Sequence, residues 1–149
     1  AKARLKAEFY AKDYAVSFQK ADITKINMEG TGAFILNYTL QFIRPVLRPS
    51  LITQLYDNLR PGGLLILSEK TILEDKRLNR TFIDIHHDFK RAQGYSDLEI
   101  ARKREALENI LIPFTLEENM EMLAGAGFKP ITTFLQWFNF SSFVALKPS

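Results

Sequence analysis

The chain has 149 residues, 46% of them hydrophobic and 25% charged, with 20 basic against 17 acidic side chains and a net charge of +3. That length suits one domain, that apolar content excludes a chain disordered throughout, and the lack of cysteine excludes disulfides, thiolate metal sites and thiol nucleophiles. No apolar run approaches the ~20 residues that span a bilayer, and the charged start (Lys2, Arg4, Lys6, Glu8) does not resemble a leader, so the expectation is a cytoplasmic protein with no membrane partner.

The chain opens on Ala1 rather than methionine, inside a predicted helix over 1–10, and so reads as the later part of something longer. Val16-Ser17-Phe18-Gln19 alternates and runs into Ala21-Asp22-Ile23, predicting a short strand. Ala33-Phe34-Ile35-Leu36 is continuously apolar and stops at Asn37, as a strand buried on both faces would. Leu51, Ile52, Leu55 and Leu59 fall at helical spacing. Pro49 can open that helix and Pro61-Gly62-Gly63 can stop it. Leu64-Leu65-Ile66-Leu67 predicts a second buried strand. Leu78, Phe82, Ile85 and Phe89 form an apolar stripe on a helix ending near Gly94. Ser96 and Glu99 predict a capping box for a helix running on towards Pro113, and Thr115 and Glu118 predict another for a helix closing at Gly125 or Gly127. Two aromatic-rich strands, Ile131 to Phe138 and Phe140 to Leu146, turn at Asn139. Alternating strands and helices predict an α/β layer fold with a largely parallel sheet and an antiparallel closing hairpin.

Asp22 and Asn37 stand at the ends of predicted strands, where open parallel sheets bind ligands. Two such residues can share one ligand, or can simply be a loop Asp and a strand cap. His86 and His87 are about 100° apart on a helix, a poor geometry for one metal even with Asp84 and Asp88 nearby. They suit the polar edge of an anion-binding pocket, or a half-buried helical pair. Arg104 lies one turn from Ile100 and Leu107, where its guanidinium can fork onto a carboxylate, or pair with Glu108 and pack by its stem. Gly30-Thr31-Gly32 and Gly125-Ala126-Gly127 lack the strand, glycine turn, helix order of a dinucleotide loop. The basic clusters Lys76-Arg77, Lys90-Arg91 and Arg102-Lys103-Arg104 read as solvated helix faces; docking on nucleic acid is the weaker alternative.

The turn Leu59-Arg60-Pro61-Gly62-Gly63 into Leu64–Ser68, the string Ala124-Gly125-Ala126-Gly127-Phe128 and the aromatic hairpin resemble class I S-adenosylmethionine-dependent methyltransferases. Longer strings sharpen this: Leu36-Asn37-Tyr38-Thr39-Leu40-Gln41-Phe42, Leu67-Ser68-Glu69-Lys70, His86 through Ser96, Lys103-Arg104 with Leu107-Glu108-Asn109, and Phe138-Asn139-Phe140 with Val144-Ala145-Leu146-Lys147. Together they are similar to the carboxy-S-adenosyl-L-methionine synthase family over nearly the whole chain. The resemblance implies a Rossmann-like methyltransferase sheet, with a helical insertion at about 75–112 in a single partial domain over 1–149. It implies an enzyme that removes a methyl proton from S-adenosylmethionine and captures the carboxyl group lost by prephenate. The products are carboxy-S-adenosylmethionine and phenylpyruvate, and no metal takes part. It also implies a homodimer, and a separate enzyme that passes the group to wobble uridine in tRNA.

By the same resemblance Asp22 and Ile23 contact adenine, Asn37 lies beside the methionine end, and Arg104 binds the transferred carboxylate. His86, His87 and Arg91 are candidates for the prephenate site. The family's first two strands, glycine-rich loop, ribose-binding acid and tyrosine near the sulfonium have no counterpart in this sequence. An isolated chain lacking them is expected to be an inactive fragment that does not hold S-adenosylmethionine at micromolar affinity. The alternative activity is ordinary methyl transfer to tRNA or a small molecule, in which no carboxylate needs Arg104.

Overall fold

The computed structural model describes residue 6 and residues 15–149; the helix predicted over 1–10 otherwise lies outside the described residues. Strand β1 (Thr31–Asn37) alternates inward Phe34 and Leu36 with outward Ala33, Ile35 and Asn37. It was expected to be buried on both faces, but Ile35 is 68% exposed. Among the described residues β1 is the edge of the sheet and only one of its faces is covered.

Helix α1 (Arg48–Asn58) carries Pro49 in its first turn and buries Leu51, Ile52 and Leu55. It ends at Asn58, before Pro61-Gly62-Gly63. Those three residues lie inside strand β2 (Leu59–Lys70), in the stretch where the ladder to β1 slips between Thr31 and Ala33. Glycine is required at position 63, because a Cβ there would stand 2.8 Å from the Arg60 carbonyl and 3.0 Å from that of Gly32. Beyond the slip β2 runs parallel to β1 from Ala33↔Leu64 to Asn37↔Ser68, and Leu65 and Leu67 are fully buried.

Helix α2 (Lys76–Ala92) starts on Asp75, whose carboxylate accepts from the amides of Arg77 and Leu78. Helix α3 (Asp97–Leu107) and helix α4 (Leu116–Gly125) both open on the predicted capping boxes. The expected run of α3 to Pro113 stops at Leu107. The apolar stripe of α2 does not enter the core: the helix has no buried residue, and Leu78 and Phe89 are 53% and 46% exposed. Its aromatic residues instead meet the closing hairpin.

That hairpin is β3 (Ile131–Trp137) and β4 (Phe140–Leu146), turning at Phe138 and Asn139. The strand order is β1-β2-β4-β3. Among the described residues the sheet is therefore mixed, parallel at β1–β2 and antiparallel at β2–β4 and β4–β3. The core lies on the α1/α4 face, where Leu36, Ile52, Leu55, Leu67, Leu123 and Phe143 are buried together. Each contributes roughly 1.5–3 kcal/mol by leaving water. Lys147 ties the end of the sheet to α1, its Nζ donating to the carbonyls of Tyr56 and Leu59, each at 2.8 Å.

The strand expected over Val16–Gln19 does not form. Residues 15–22 are irregular, with Val16 and Phe18 half exposed. Asp22 turns inward on its own segment, accepting from the Thr24 amide at 3.0 Å and the Thr24 hydroxyl at 2.8 Å, and so caps a short 3₁₀ turn at Ile23–Lys25. A local Asx cap wins where no strand among the described residues offers this segment a ladder.

Candidate functional site

The site is built from the carboxyl ends of β1 and β2. After Asn37 the backbone reverses at Tyr38, which has a φ of 52° and donates its amide to Ser68 at 2.8 Å. A 3₁₀ turn follows at Leu40–Phe42, and two buried charges hold it from opposite sides. Glu69, 2% exposed, accepts from the amides of Thr39 (3.2 Å), Leu40 (2.8 Å) and Gln41 (2.9 Å). Arg48, also 2% exposed, donates to the carbonyls of Ile43 (2.8 Å), Gln41 (3.2 Å) and Ile112 (2.6 Å). Its guanidinium lies 4.3 Å above the Phe114 ring centre. Burial pushes the Glu69 carboxyl up to about 7, against the three amides and Arg48, which pull it down. The Ile112 amide donates to the Gln41 carbonyl at 3.0 Å, which ties the turn after β1 to the segment after α3.

Between these parts lies a cavity of about 570 Å³, well within the range of small-molecule sites. Tyr38, Gln41 and Phe42 line one side, and Lys70, Thr71 and Ile72 continue from β2. Helix α2 adds Asn79, Ile83, His86, His87 and Lys90; Lys103, Arg104 and Leu107 come from α3; Asn139 and Phe140 come from the hairpin. Glu108 is the single carboxylate of the lining, which holds four basic side chains, Lys70, Lys90, Lys103 and Arg104. None of Lys70, Lys90 or Lys103 makes an ion pair among the described residues. Burial lowers the ammonium pKa of both Lys70 and Lys90, and at Lys90 the charges of Lys103 and Lys70 add to it.

His86 is set edge-on to Phe140 (4.9 Å between ring centres) and Trp137 (5.8 Å). Burial first, then Lys90 and Lys70, push it down to about 4, so it is neutral at physiological pH. His87 is lowered by burial, Lys90 and Arg91. The rings of the two histidines are 6.3 Å apart, and both line the cavity despite their 100° offset. Their nearby acids are committed elsewhere, Asp84 to Arg80 at 3.1 Å and Asp88 to Arg91 at 2.6 Å. No group of three or more His, Asp or Glu side chains is placed to hold a metal ion among the described residues.

Of the residues singled out in the sequence, His86, His87 and Arg104 come together on this cavity. No ion pair joins Arg104 to Glu108 among the described residues. Arg91 lies outside the lining, held by Asp88 and by Asp97 at 2.7 Å. Asn37 adjoins the cavity through Tyr38, while Asp22 and Ile23 sit on their own turn outside the lining.

Sequence reasoning missed Glu69, Lys70 and Asn139. The last is 1% exposed, and its side-chain Oδ1 is buried without a hydrogen-bond partner. The one available signal was position: Glu69-Lys70 follows a predicted strand, and Asn139 is the turn of a predicted hairpin.

No family model matches the chain. Curated relatives named carboxy-S-adenosyl-L-methionine synthase do. The one from Desulfotalea psychrophila is 57% identical over 147 residues, covering 99% of this chain and 60% of that protein. That of Nautilia profundicola is 48% identical over 97% of this chain and 62% of its own length. That of Nitratiruptor sp. is 51% identical over 95% and 60%. The chain thus spans about three fifths of the length of these relatives. Among solved structures it is similar to the S-adenosylmethionine-dependent methyltransferase SibL (TM-score 0.66, 16% identity, 99% of this chain and 40% of that one). It is also similar to the pyocyanin biosynthetic protein PhzM (TM-score 0.64, 14% identity, 97% and 39%). The chain has the α/β methyltransferase fold.

Proposed function

We propose that this chain is a portion of a carboxy-S-adenosyl-L-methionine synthase, the enzyme its curated relatives are named for over nearly all of its length. The observation that carries the reading is the cavity at the carboxyl ends of β1 and β2: it gathers Arg104, three lysines and a neutral His86 around a single carboxylate. Plain methyl transfer needs no anion site beside the methyl group; carboxyl transfer needs one.

In this reading S-adenosylmethionine lies across the end of β1, with Asp22 and Ile23 at its adenine and Asn37 at its methionine end. The helices at about 75–112 close over it as an insertion. The carboxyl group of prephenate passes to the methyl carbon of S-adenosylmethionine. The methyl proton and the ring hydroxyl depart as water, leaving phenylpyruvate. Arg104 receives the new carboxylate through paired N–H donors, and His86 and His87 border the prephenate end. Arg91 supports Asp97 at the start of α3 rather than touching substrate. The working enzyme is a cytoplasmic homodimer whose product a second enzyme delivers to tRNA; no helix among the described residues is long and apolar enough to cross a membrane.

The test is mass spectrometry of the full-length protein given S-adenosylmethionine and prephenate. The expected product is heavier than S-adenosylmethionine by one carboxyl group. Arg104→Ala should weaken binding of carboxy-S-adenosylmethionine ~10- to 100-fold, the scale of a lost charge-assisted hydrogen-bond pair, while S-adenosylmethionine binds as before. Methyl transfer to tRNA or a small molecule, indifferent to Arg104→Ala, would overturn the reading.

A further inference from the structure

We propose that Lys70, Lys90, Lys103 and Asn139 form the seat of a ring-bearing dicarboxylate, the three ammonium groups taking its two carboxylates and the Asn139 amide its ring hydroxyl. The inference rests on the reading of this cavity as the carboxyl donor's site and assigns the residues that hold the donor.

Three independent features of the cavity select that chemistry. The first is charge. Lys70 comes from the end of β2, Lys90 from the last turn of α2 and Lys103 from α3, so three separate elements bring lysines to the lining of one cavity. Their charges act on one another and on His86. Cations gathered in a partly desolvated pocket without carboxylate partners repel each other, and an anion with more than one charge relieves that repulsion. Arg104 is left for the transferred group. The second feature is Asn139. Its amide is fixed at the hairpin turn by its own backbone carbonyl, which accepts from Thr71 at 2.8 Å. Asn139 is among the residues lining the cavity, and its buried Oδ1 has no hydrogen-bond partner. A buried acceptor in this state calls for a ligand N–H or O–H. The third is shape. Ile72, Ile83, Leu107, Leu111 and the Phe140 ring supply apolar walls, which suit a carbon ring rather than a phosphate or a free amino acid. A hydroxylated ring carrying one carboxylate directly and a second on a 2-oxo arm meets all three requirements.

Steady-state kinetics of the full-length enzyme, with calorimetry of binding, decide it. Lys70→Met, Lys90→Met and Lys103→Met should each raise KM for prephenate about ten-fold or more and flatten its salt dependence, with KM for S-adenosylmethionine unmoved. Lys103→Arg should recover most of the loss. Asn139→Ala should weaken prephenate, which has the hydroxyl, and leave phenylpyruvate, which lacks it, bound as before. Lys103 is on an exposed helix, so an unchanged KM in a folded Lys103→Met variant overturns the lysine seat. Equal loss of both ligands in Asn139→Ala overturns the hydroxyl contact. If the wild type binds prephenate and the lysine variants do not, yet no carboxylated product forms, the seat stands and the synthase reading falls.

Discussion

At the scale of the residue, Glu69 shows how a buried acid can hold the turn that lines a site from behind. Its carboxyl titrates at about 7 in the folded protein against an ordinary 4.5. Between those values the folded state binds more protons than the unfolded one. The group's contribution to stability is therefore fully present below about 4.5 and is lost as pH rises through about 7. The lost contribution is on the order of 3 kcal/mol. Glu69→Gln should flatten the fall in urea midpoint between about pH 5 and pH 7.5, and equal slopes in both proteins would refute the assignment. Below neutrality the protonated acid keeps an acceptor for the turn at 39–41; the variant loses one, because its amide NH₂ faces an N–H. None of this was legible in the sequence. Glu69 stood out only within the string Leu67-Ser68-Glu69-Lys70, since its partners are backbone amides some 28 to 30 residues earlier, which no side-chain pattern records. Arg104 was legible, because helical spacing put it beside Ile100 and Leu107 and that face does line the cavity. Asp22 was misplaced at a strand end, because its side chain bonds within two residues of itself.

At the scale of the element, what depends on neighbours three or four residues away could be read directly. Both capping boxes are closed as expected, Ser96 with Glu99 and Thr115 with Glu118. Thr115→Ala should cost about 1 kcal/mol, seen as a lowered Tm. The Pro-Gly-Gly sequence was harder, since the same residues that end a helix also suit a bulged strand, and only the pairing of β2 with β1 and with Lys147 decides between them. Gly63→Ala should cost roughly 2–3 kcal/mol, because the added methyl meets two carbonyls that belong to paired strands. Gly125→Ala meets nothing within 4 Å and should be tolerated, so comparing the two by thermal unfolding separates crowding from loss of glycine as such. The stripe on α2 was legible as a pattern, but its side meets the closing hairpin rather than the core. Periodicity tells which residues share a side, and it does not tell whether that side meets a hydrophobic core or the rim of a site.

At the scale of the molecule, stability and chemistry are divided between two layers. The α1/α4 side of the sheet holds the core, whereas α2 buries no residue and α3 buries only Ile100. Hydrogen exchange should therefore show α2 and α3 opening at a lower free energy than the centres of β2 and β4. Uniform protection across all four elements would contradict this division. A cover that opens below the global unfolding limit gives a ligand a route into a cavity whose floor stays rigid. The α/β class and the closing hairpin followed from the order of elements. The sheet order did not, because placing β4 between β2 and β3 depends on contacts some 70 or more residues apart, such as Ser68 with Ser142.

That interior position of β4 sets a timetable for synthesis. Chains fold from the N-terminal side as they leave the ribosome, but β2 cannot receive its second neighbour until residues 140–146 have been made. Asn139 and Phe140 join the cavity in the same interval, and Lys147 reaches the end of α1 just afterwards. A nascent chain halted before this stretch carries Arg104, both histidines and all three lysines, yet has no finished wall for them to face.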